Sequence, residues 1–211
     1  MKPLLIFDCD GVLVQSEPGE TLCLLQVASR YGYDRTLSDV EKRFRGRKMA
    51  QVAGMISEEM GKPLPESFVP EVRELCANTI DKSMVETPGL SIALSGLQNR
   101  RCVASNSPLE LIKTRLRSAG LSAHFGEQIY SAYEVGSWKP DPTLFQFAAS
   151  RNSFPNDQCI VVEDSAIGVE AALSAGMNVV LYGAETKTVP ESAKVRHLLD
   201  MSKLPDLIAS F

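Results

Sequence analysis

Leu4-Leu5-Ile6-Phe7-Asp8-Cys9-Asp10-Gly11-Val12-Leu13-Val14 is the stretch on which the reading of this chain turns. Leu4 to Phe7 is an unbroken apolar run closed by a polar cluster with glycine, the pattern of a strand buried on both faces. Asp8 and Asp10 stand where that strand ends. In open parallel sheets, ligands bind in the crevice beyond the carboxyl ends of the strands. Gly11 frees the backbone to turn, so both aspartates can reach that crevice. Two neighbouring carboxylates are costly unless a cation, or work for a neutral acid, justifies them. Asp-x-Asp-Gly can equally be a plain turn, so the rest of the chain has to decide.

Downstream, residues 16–82 have a helical texture. Apolar positions recur at three and four over 21–28, over 49–60 (Met49, Val52, Ala53, Ile56, Met60) and over 66–82 (Val69, Val72, Leu75, Cys76, Ile80). Ser38 with Glu41 forms a capping-box pattern that predicts a further helix over 39–44. No strand candidate lies in this stretch. Thr87-Pro88-Gly89 then marks a change of element. From there strands (101–105, 129–131, 159–162, 179–182) alternate with helices (109–119, 142–151, 165–175, 204–211). Such alternation implies an α/β fold, a parallel sheet covered by helices on both faces. The expected division is an α/β core of residues 1–15 and 86–211, with a small all-helical cap, residues 16–85, inserted after the first strand.

The 211 residues suit one large domain, or a core plus a smaller insert. A net charge of -4 and a pI near 5.3 give no electrostatic footprint for nucleic acid. No apolar run approaches the roughly 20 residues that span a bilayer, so no membrane partner is expected. Met1-Lys2-Pro3 runs straight into the first strand without a signal peptide, and the expected location is the cytoplasm. The five cysteines are scattered with no Cys-x-x-Cys pair, which fits a reducing compartment and small buried side chains. The expectation is a monomer acting on a small molecule.

Parallel strands deliver their carboxyl ends to one edge. That edge would gather Asp8 and Asp10, then Ser105-Asn106-Ser107, then Trp138-Lys139-Pro140-Asp141-Pro142, then Glu163-Asp164-Ser165. Each has an ordinary reading: a helix cap for Ser105-Asn106-Ser107, a solvated amine for Lys139, charge at a helix start for Glu163-Asp164. Their joint occurrence, each directly after a strand, points instead to phosphoryl transfer through an aspartate. A carboxylate nucleophile splits one hard displacement into two easier ones. A divalent cation, a lysine and neutral donors stabilise the phosphoryl oxygens. Mg²⁺ takes oxygen ligands from few carboxylates, which matches Asp8 and Asp164. An acid two residues past the nucleophile can protonate the leaving alcohol and then activate water.

These four segments resemble the motifs of the haloacid dehalogenase-like hydrolase superfamily, and the resemblance covers essentially the whole chain. Asp8 to Val14 is similar to its first motif, Ser105-Asn106 to its second, Lys139-Pro140-Asp141-Pro142 to its third, and Glu163-Asp164-Ser165-x-x-Gly168 to its fourth. The helical insert resembles the small cap of the subgroup that holds β-phosphoglucomutases and sugar-phosphate phosphatases. Within it, Arg43 to Lys48 and Trp138 to Pro142 look closest to bacterial phosphatases of 6-phosphogluconate. The resemblance implies a Rossmann-like core with that cap, and a Mg²⁺-dependent phosphatase acting on a sugar phosphate or a phosphorylated sugar acid such as 6-phosphogluconate. It implies Asp8 as nucleophile and metal ligand, and Asp10 as acid/base whose backbone carbonyl also touches the metal. Ser105, Asn106 and Lys139 would hold the phosphoryl group. Asp164 would ligate Mg²⁺, and Glu163 would do so directly or through water. The chain departs from the family's usual Thr at Val12 and usual Asp at Gln15, which touches the hinge and cap rather than the reaction.

Two other readings stay open on sequence: a β-phosphoglucomutase-like isomerase, and a non-catalytic module that binds phosphate ligands. Asp10 speaks against dehalogenases and phosphonate hydrolases, which need no acid at that place. Gly46, Arg47 and Lys48, between two cap helices, are the candidate substrate contacts. Cations at a helix start oppose its dipole, and a substrate with a second anionic group would give them a use.

Overall fold

The computed structural model describes residues 2–16, 19–44, 47–183 and 192–211. Gly46, a candidate substrate contact, lies outside the described residues. The first strand, β1 (Leu4–Phe7), is followed by four helices: α1 (Gly19–Arg30), α2 (Leu37–Phe44), α3 (Met49–Met60) and α4 (Phe68–Thr79). A 3₁₀ turn at Asp81–Ser83 and α5 (Leu90–Gly96) lead to the alternating part. There β2 (Arg101–Ser105), α6 (Leu109–Ser118), α7 (Ser122–Phe125), β3 (Ile129–Ser131), α8 (Ala132–Val135) and α9 (Thr143–Arg151) follow in turn. Then come β4 (Cys159–Glu163), α10 (Ala166–Ser174), β5 (Asn178–Tyr182), β6 (Val195–Leu198) and α11 (Leu204–Ala209).

The strands form one parallel sheet in the order β3-β2-β1-β4-β5-β6. β1 is therefore central, and its four residues are fully buried. Leu5 and Phe7 point into one core with Val103, Ile112, Leu116 and Val162. Leu4 and Ile6 point into the other with Ala104, Phe145, Val161 and Val169. That two-sided burial is why the strand reads as a continuous apolar run rather than an alternation. The register aligns Phe7 with Val103 on one side and Val162 on the other, so Asp8, just past β1, comes to the same edge as the strand ends Ser105 and Glu163.

α1 to α4 build a separate cluster of Leu24, Val27, Val52, Ile56, Phe68 and Val72. The chain leaves the sheet and returns to it through adjacent segments. Val14 bridges antiparallel to Glu86, the Gln15 N–H donates to the Val85 carbonyl at 3.1 Å, and the Thr87 N–H donates to the Leu13 carbonyl at 3.0 Å.

Several local expectations change. α2 starts at Leu37, because Thr36 rather than Ser38 makes the cap: its Oγ1 accepts from the Asp39 N–H at 3.2 Å and donates to Asp39 Oδ2 at 2.6 Å. The segment expected as a helix over 66–82 is shorter and closes in a 3₁₀ turn that turns Asp81 inward. α5 and β6 have no counterpart among the expected elements. β6 is a short edge strand in which only Val195 and Leu198 are apolar, so it carries no strong pattern. No helix among the described residues is long and apolar enough to cross a membrane.

Candidate active site

The sheet's carboxyl edge opens into a cavity of about 510 Å³, within the size range of small-molecule sites. Asp8, Asp10, Ser105, Asn106, Lys139, Glu163 and Asp164 all line it, and Arg47 and Lys48 line it from the helical segment. The structure thus brings together every described residue that the motifs nominate.

Asp8 follows β1 directly, and its N–H donates to the Val162 carbonyl at 2.9 Å. Lys139, buried in the loop before α9, donates from Nζ to Asp8 Oδ1 at 2.5 Å and to Glu163 Oε1 at 2.7 Å. Asn106 fixes that loop by accepting the Lys139 N–H at 2.9 Å. Glu163 Oε2 accepts from the Asp164 N–H, the Ser165 N–H and Ser165 Oγ at 2.8 to 2.9 Å. Both Glu163 oxygens are therefore engaged by protein donors.

Two glycines permit close approach. Gly11 has φ +82, and a Cβ there would stand 2.0 Å from Asp164 Oδ2. A Cβ on Gly168 would stand 1.9 Å from Glu163 Oε1. Any side chain at Gly168 would displace the glutamate that holds Lys139, a physical reason for glycine three residues into the helix start.

Asp10 accepts from Ser107 Oγ at Oδ2 (2.9 Å) and from Arg115 at Oδ1. Arg115 projects from α6 between Ile112 and Leu116, on the stripe that faces the core, and its side chain is fully buried. It also binds Glu20 on α1 and Asp81 in the 3₁₀ turn. Ser107 was placed at this edge from sequence without a role of its own, and Arg115, Glu20 and Asp81 were not among the residues nominated. The available signal was an arginine at a core-facing position of an amphipathic helix, where burial demands acidic partners.

Charge in the site is crowded. Burial pushes the Asp8 carboxyl up; Lys139 opposes this, while Glu163, Asp10 and Asp164 add to it. Burial would lower Lys139, yet Asp8 and Glu163 more than offset that and hold its ammonium well above the usual range. Arg115 is likewise held up, against its burial, by Asp10, Glu20 and Asp81. Cys9 sits beside these carboxylates, and burial together with Asp10 and Asp8 pushes its thiol up, so it is a poor nucleophile.

Among the described residues no three His, Cys, Asp or Glu side chains form a group able to hold a metal ion by themselves. The donor set suits a hard cation that needs few carboxylates and completes its shell with water and substrate oxygens. Asp8 and Asp164, one on each of two adjacent strand ends, fit that description, and Gly11 gives Asp164 the room to lie there.

On the helical side, Lys48 precedes α3, and its Nζ lies 3.5 Å from the centre of the Trp138 ring. Arg73 of α4 donates to Tyr133 Oη at 2.6 Å, and the Tyr133 and Trp138 rings meet edge to face at 5.3 Å. Arg73 and Tyr133, also absent from the sequence nominations, line the same cavity.

A family model described as haloacid dehalogenase-like hydrolase matches residues 3–176. The chain is 30% identical over 203 residues to a 6-phosphogluconate phosphatase of Escherichia coli (strain K12), covering 95% of this chain and 92% of the relative. It is 31% identical over 176 residues to a phosphorylated carbohydrates phosphatase of Thermotoga maritima, covering 82% of this chain and 81% of the relative. Among solved structures, a conserved haloacid dehalogenase-like protein of unknown function from Agrobacterium tumefaciens str. C58 is similar with a TM-score of 0.84 at 30% identity. The match covers 100% of this chain and 99% of that one.

Proposed function

The chain belongs to the haloacid dehalogenase-like hydrolase family and is a phosphatase, and from that premise we propose that it hydrolyses small sugar phosphates, with acidic ones preferred, through an aspartyl-phosphate on Asp8. The observation that carries this reading is the bridge of Lys139 between Asp8 and Glu163 at the floor of the cavity, with Asp10 beside it.

Asp8 Oδ attacks phosphorus; the bond from phosphorus to the sugar oxygen breaks, and Asp10 gives its proton to that oxygen, releasing the alcohol. Water then attacks phosphorus, Asp10 takes the water's proton, and the Asp8 carboxylate leaves as phosphate is freed. Lys139 holds charge against the phosphoryl oxygens throughout, and Ser105 and Asn106 place donors beside them. Glu163, with both oxygens bound, keeps Lys139 aimed at Asp8 rather than serving as a direct metal ligand. Asp8, Asp164 and the Asp10 carbonyl would hold Mg²⁺. When bound, that ion supplies positive charge which offsets the carboxylates facing an anionic substrate.

Arg47, Lys48 and Arg73 line the helical side of the cavity, opposite the phosphoryl floor, and suit a substrate with a second anionic group. The acidic substrate named for the Escherichia coli relative supports the same preference. In this reading residues 16–85 act as a cap that closes over bound substrate, hinging at Val14–Ser16 and Glu86–Pro88, which the Val14–Glu86 bridge joins.

A phosphate-release screen over neutral sugar phosphates and phosphorylated sugar acids tests the proposal. Phosphate should be released most efficiently from the acidic members. Isomeric sugar phosphate in place of free phosphate would mark a mutase instead, and preference for neutral esters would remove the role given to Arg47 and Lys48.

A further inference from the structure

We propose that Arg115 is a positioning residue for the acid/base, orienting the Asp10 carboxylate from a guanidinium that Glu20 and Asp81 hold in place. The inference rests on Asp10 having the role given above.

Arg115 carries a rigid planar fork of donors. Nε donates to Asp81 Oδ1 at 2.9 Å, and one terminal nitrogen reaches both Asp81 Oδ1, at 2.9 Å, and Glu20. Those contacts fix the plane of the guanidinium, and the remaining terminal nitrogen is directed at Asp10 Oδ1. Ser107 Oγ donates to the other Asp10 oxygen at 2.9 Å, so the orientation of the Asp10 carboxylate is set from both sides. Ser107 is itself tethered, since its carbonyl accepts from Ser131 Oγ at 2.7 Å.

Burial alone does not call for this arrangement. Asp81, with its side chain 4% exposed, already supplies the counter-charge that a buried guanidinium needs. Two further carboxylates add repulsion among themselves, and one of them is the acid/base. The partners also come from both ends of the helical segment, Glu20 on its first helix and Asp81 just after its last. The placement of Asp10 is thus tied to the seating of that segment on the sheet.

A purely structural arginine, when altered, would slow every substrate alike. A positioning arginine has a different signature, because Asp10 matters in proportion to how badly the leaving oxygen needs a proton. Phenyl phosphate and p-nitrophenyl phosphate are alike in shape and offer the helical segment no charge, but phenoxide is much the more basic leaving group. kcat/KM reports events through departure of that first group. Displacing an acid by a fraction of its reach should cost about ten- to a hundredfold for phenyl phosphate and no more than about threefold for p-nitrophenyl phosphate.

The experiment compares wild type, Arg115→Lys, Asp10→Asn and the double variant on both esters. Arg115→Lys keeps the buried charge while losing the fork. The expected result is that split for Arg115→Lys, and no further loss when it is added to Asp10→Asn, because it acts through Asp10. Equal slowing of both esters, or full additional loss in the Asp10→Asn background, overturns the inference. An Asp10→Asn variant with no split of its own overturns the role of Asp10, and this inference with it. Should Arg115→Lys fail to fold, Glu20→Gln, at a partly exposed anchor, carries the same comparison. A split in the same direction is then expected, and its absence is equally decisive.

Discussion

Lys139 and Asp8 lie 131 positions apart in the chain, yet Lys139 Nζ sits 2.5 Å from Asp8 Oδ1. The same ammonium reaches Glu163 at 2.7 Å. One buried cation therefore ties the loop before α9 to the ends of β1 and β4, and it stands beside the carboxylate assigned to attack phosphorus. Removing it should damage both fold and reaction. Lys139→Met leaves Asp8 and Glu163 buried and uncompensated, a change that costs about 3–5 kcal/mol in comparable buried pairs. Chemical denaturation should show a loss of that order, and phosphate release should fall by at least about a hundredfold even where the variant is fully folded. Stability and rate both near wild type would contradict the role assigned to Lys139.

The metal assignment predicts a stability effect as well as a rate effect. EDTA should abolish turnover, and added Mg²⁺ should raise the melting temperature. A ligand at a hundredfold excess over its Kd stabilises by about 2.7 kcal/mol. Asp164→Asn should lose that thermal shift while folding normally without metal. Calcium, with longer and looser bonds, should inhibit. Full turnover in chelator would contradict the assignment.

Lys48 lies over the Trp138 ring and lines the helical side of the cavity, where the proposed function assigns it to the substrate's far end. Lys48→Ala should lower kcat/KM for a phosphorylated sugar acid by roughly ten- to a hundredfold, the worth of one charge-assisted contact of about 1.5–3 kcal/mol. It should leave p-nitrophenyl phosphate nearly untouched. Equal effects on both substrates would contradict the contact.

The cysteines give a pH-dependent check. All five are buried and free. Burial, and then Asp157, push the Cys159 thiol up to about 11, and burial, then Asp10 and Asp8, push up Cys9. A raised thiol pKa means less thiolate, so Cys9, Cys76, Cys102 and Cys159 should react slowly with a disulfide reagent near pH 8 in the native protein and fully only on unfolding. A fast-reacting thiol at Cys9 would contradict the description of that loop.

What could be read from the sequence is what local pattern encodes. Leu4 to Phe7 and Cys159 to Val162 announce buried strands, and each polar cluster that follows is contiguous, so Asp8, Asp10, Lys139 and Asp164 stand out without any knowledge of distance. Met49–Met60 was legible because its apolar positions repeat at the helical period and Gly61 stops it. Long-range partnership was not legible. The resemblance implies Glu163 as a metal ligand, directly or through water; what only the fold reveals is that its two oxygens also accept from Lys139 and from the start of α10. Arg115 is one of three cations in the α6 sequence, with Lys113 and Arg117, and its burial depends on α1 and the 3₁₀ turn meeting there. Arg73 and Tyr133, from α4 and α8, become neighbours only when the helical segment rests on the sheet. β6 escaped because an edge strand needs few apolar residues.

The central claim, that the phosphoryl group passes through Asp8, is tested most directly by trapping it there. Enzyme turning over substrate is quenched in acid and treated with tritiated borohydride, which reduces an acyl phosphate but leaves a free carboxylate alone; the protein is then digested and the label mapped. Label should appear in the peptide that contains Asp8, converted to homoserine, and should be absent from Asp8→Asn carried through the same steps. Label at another carboxylate such as Asp164, or none in enzyme caught during active turnover, would contradict the account.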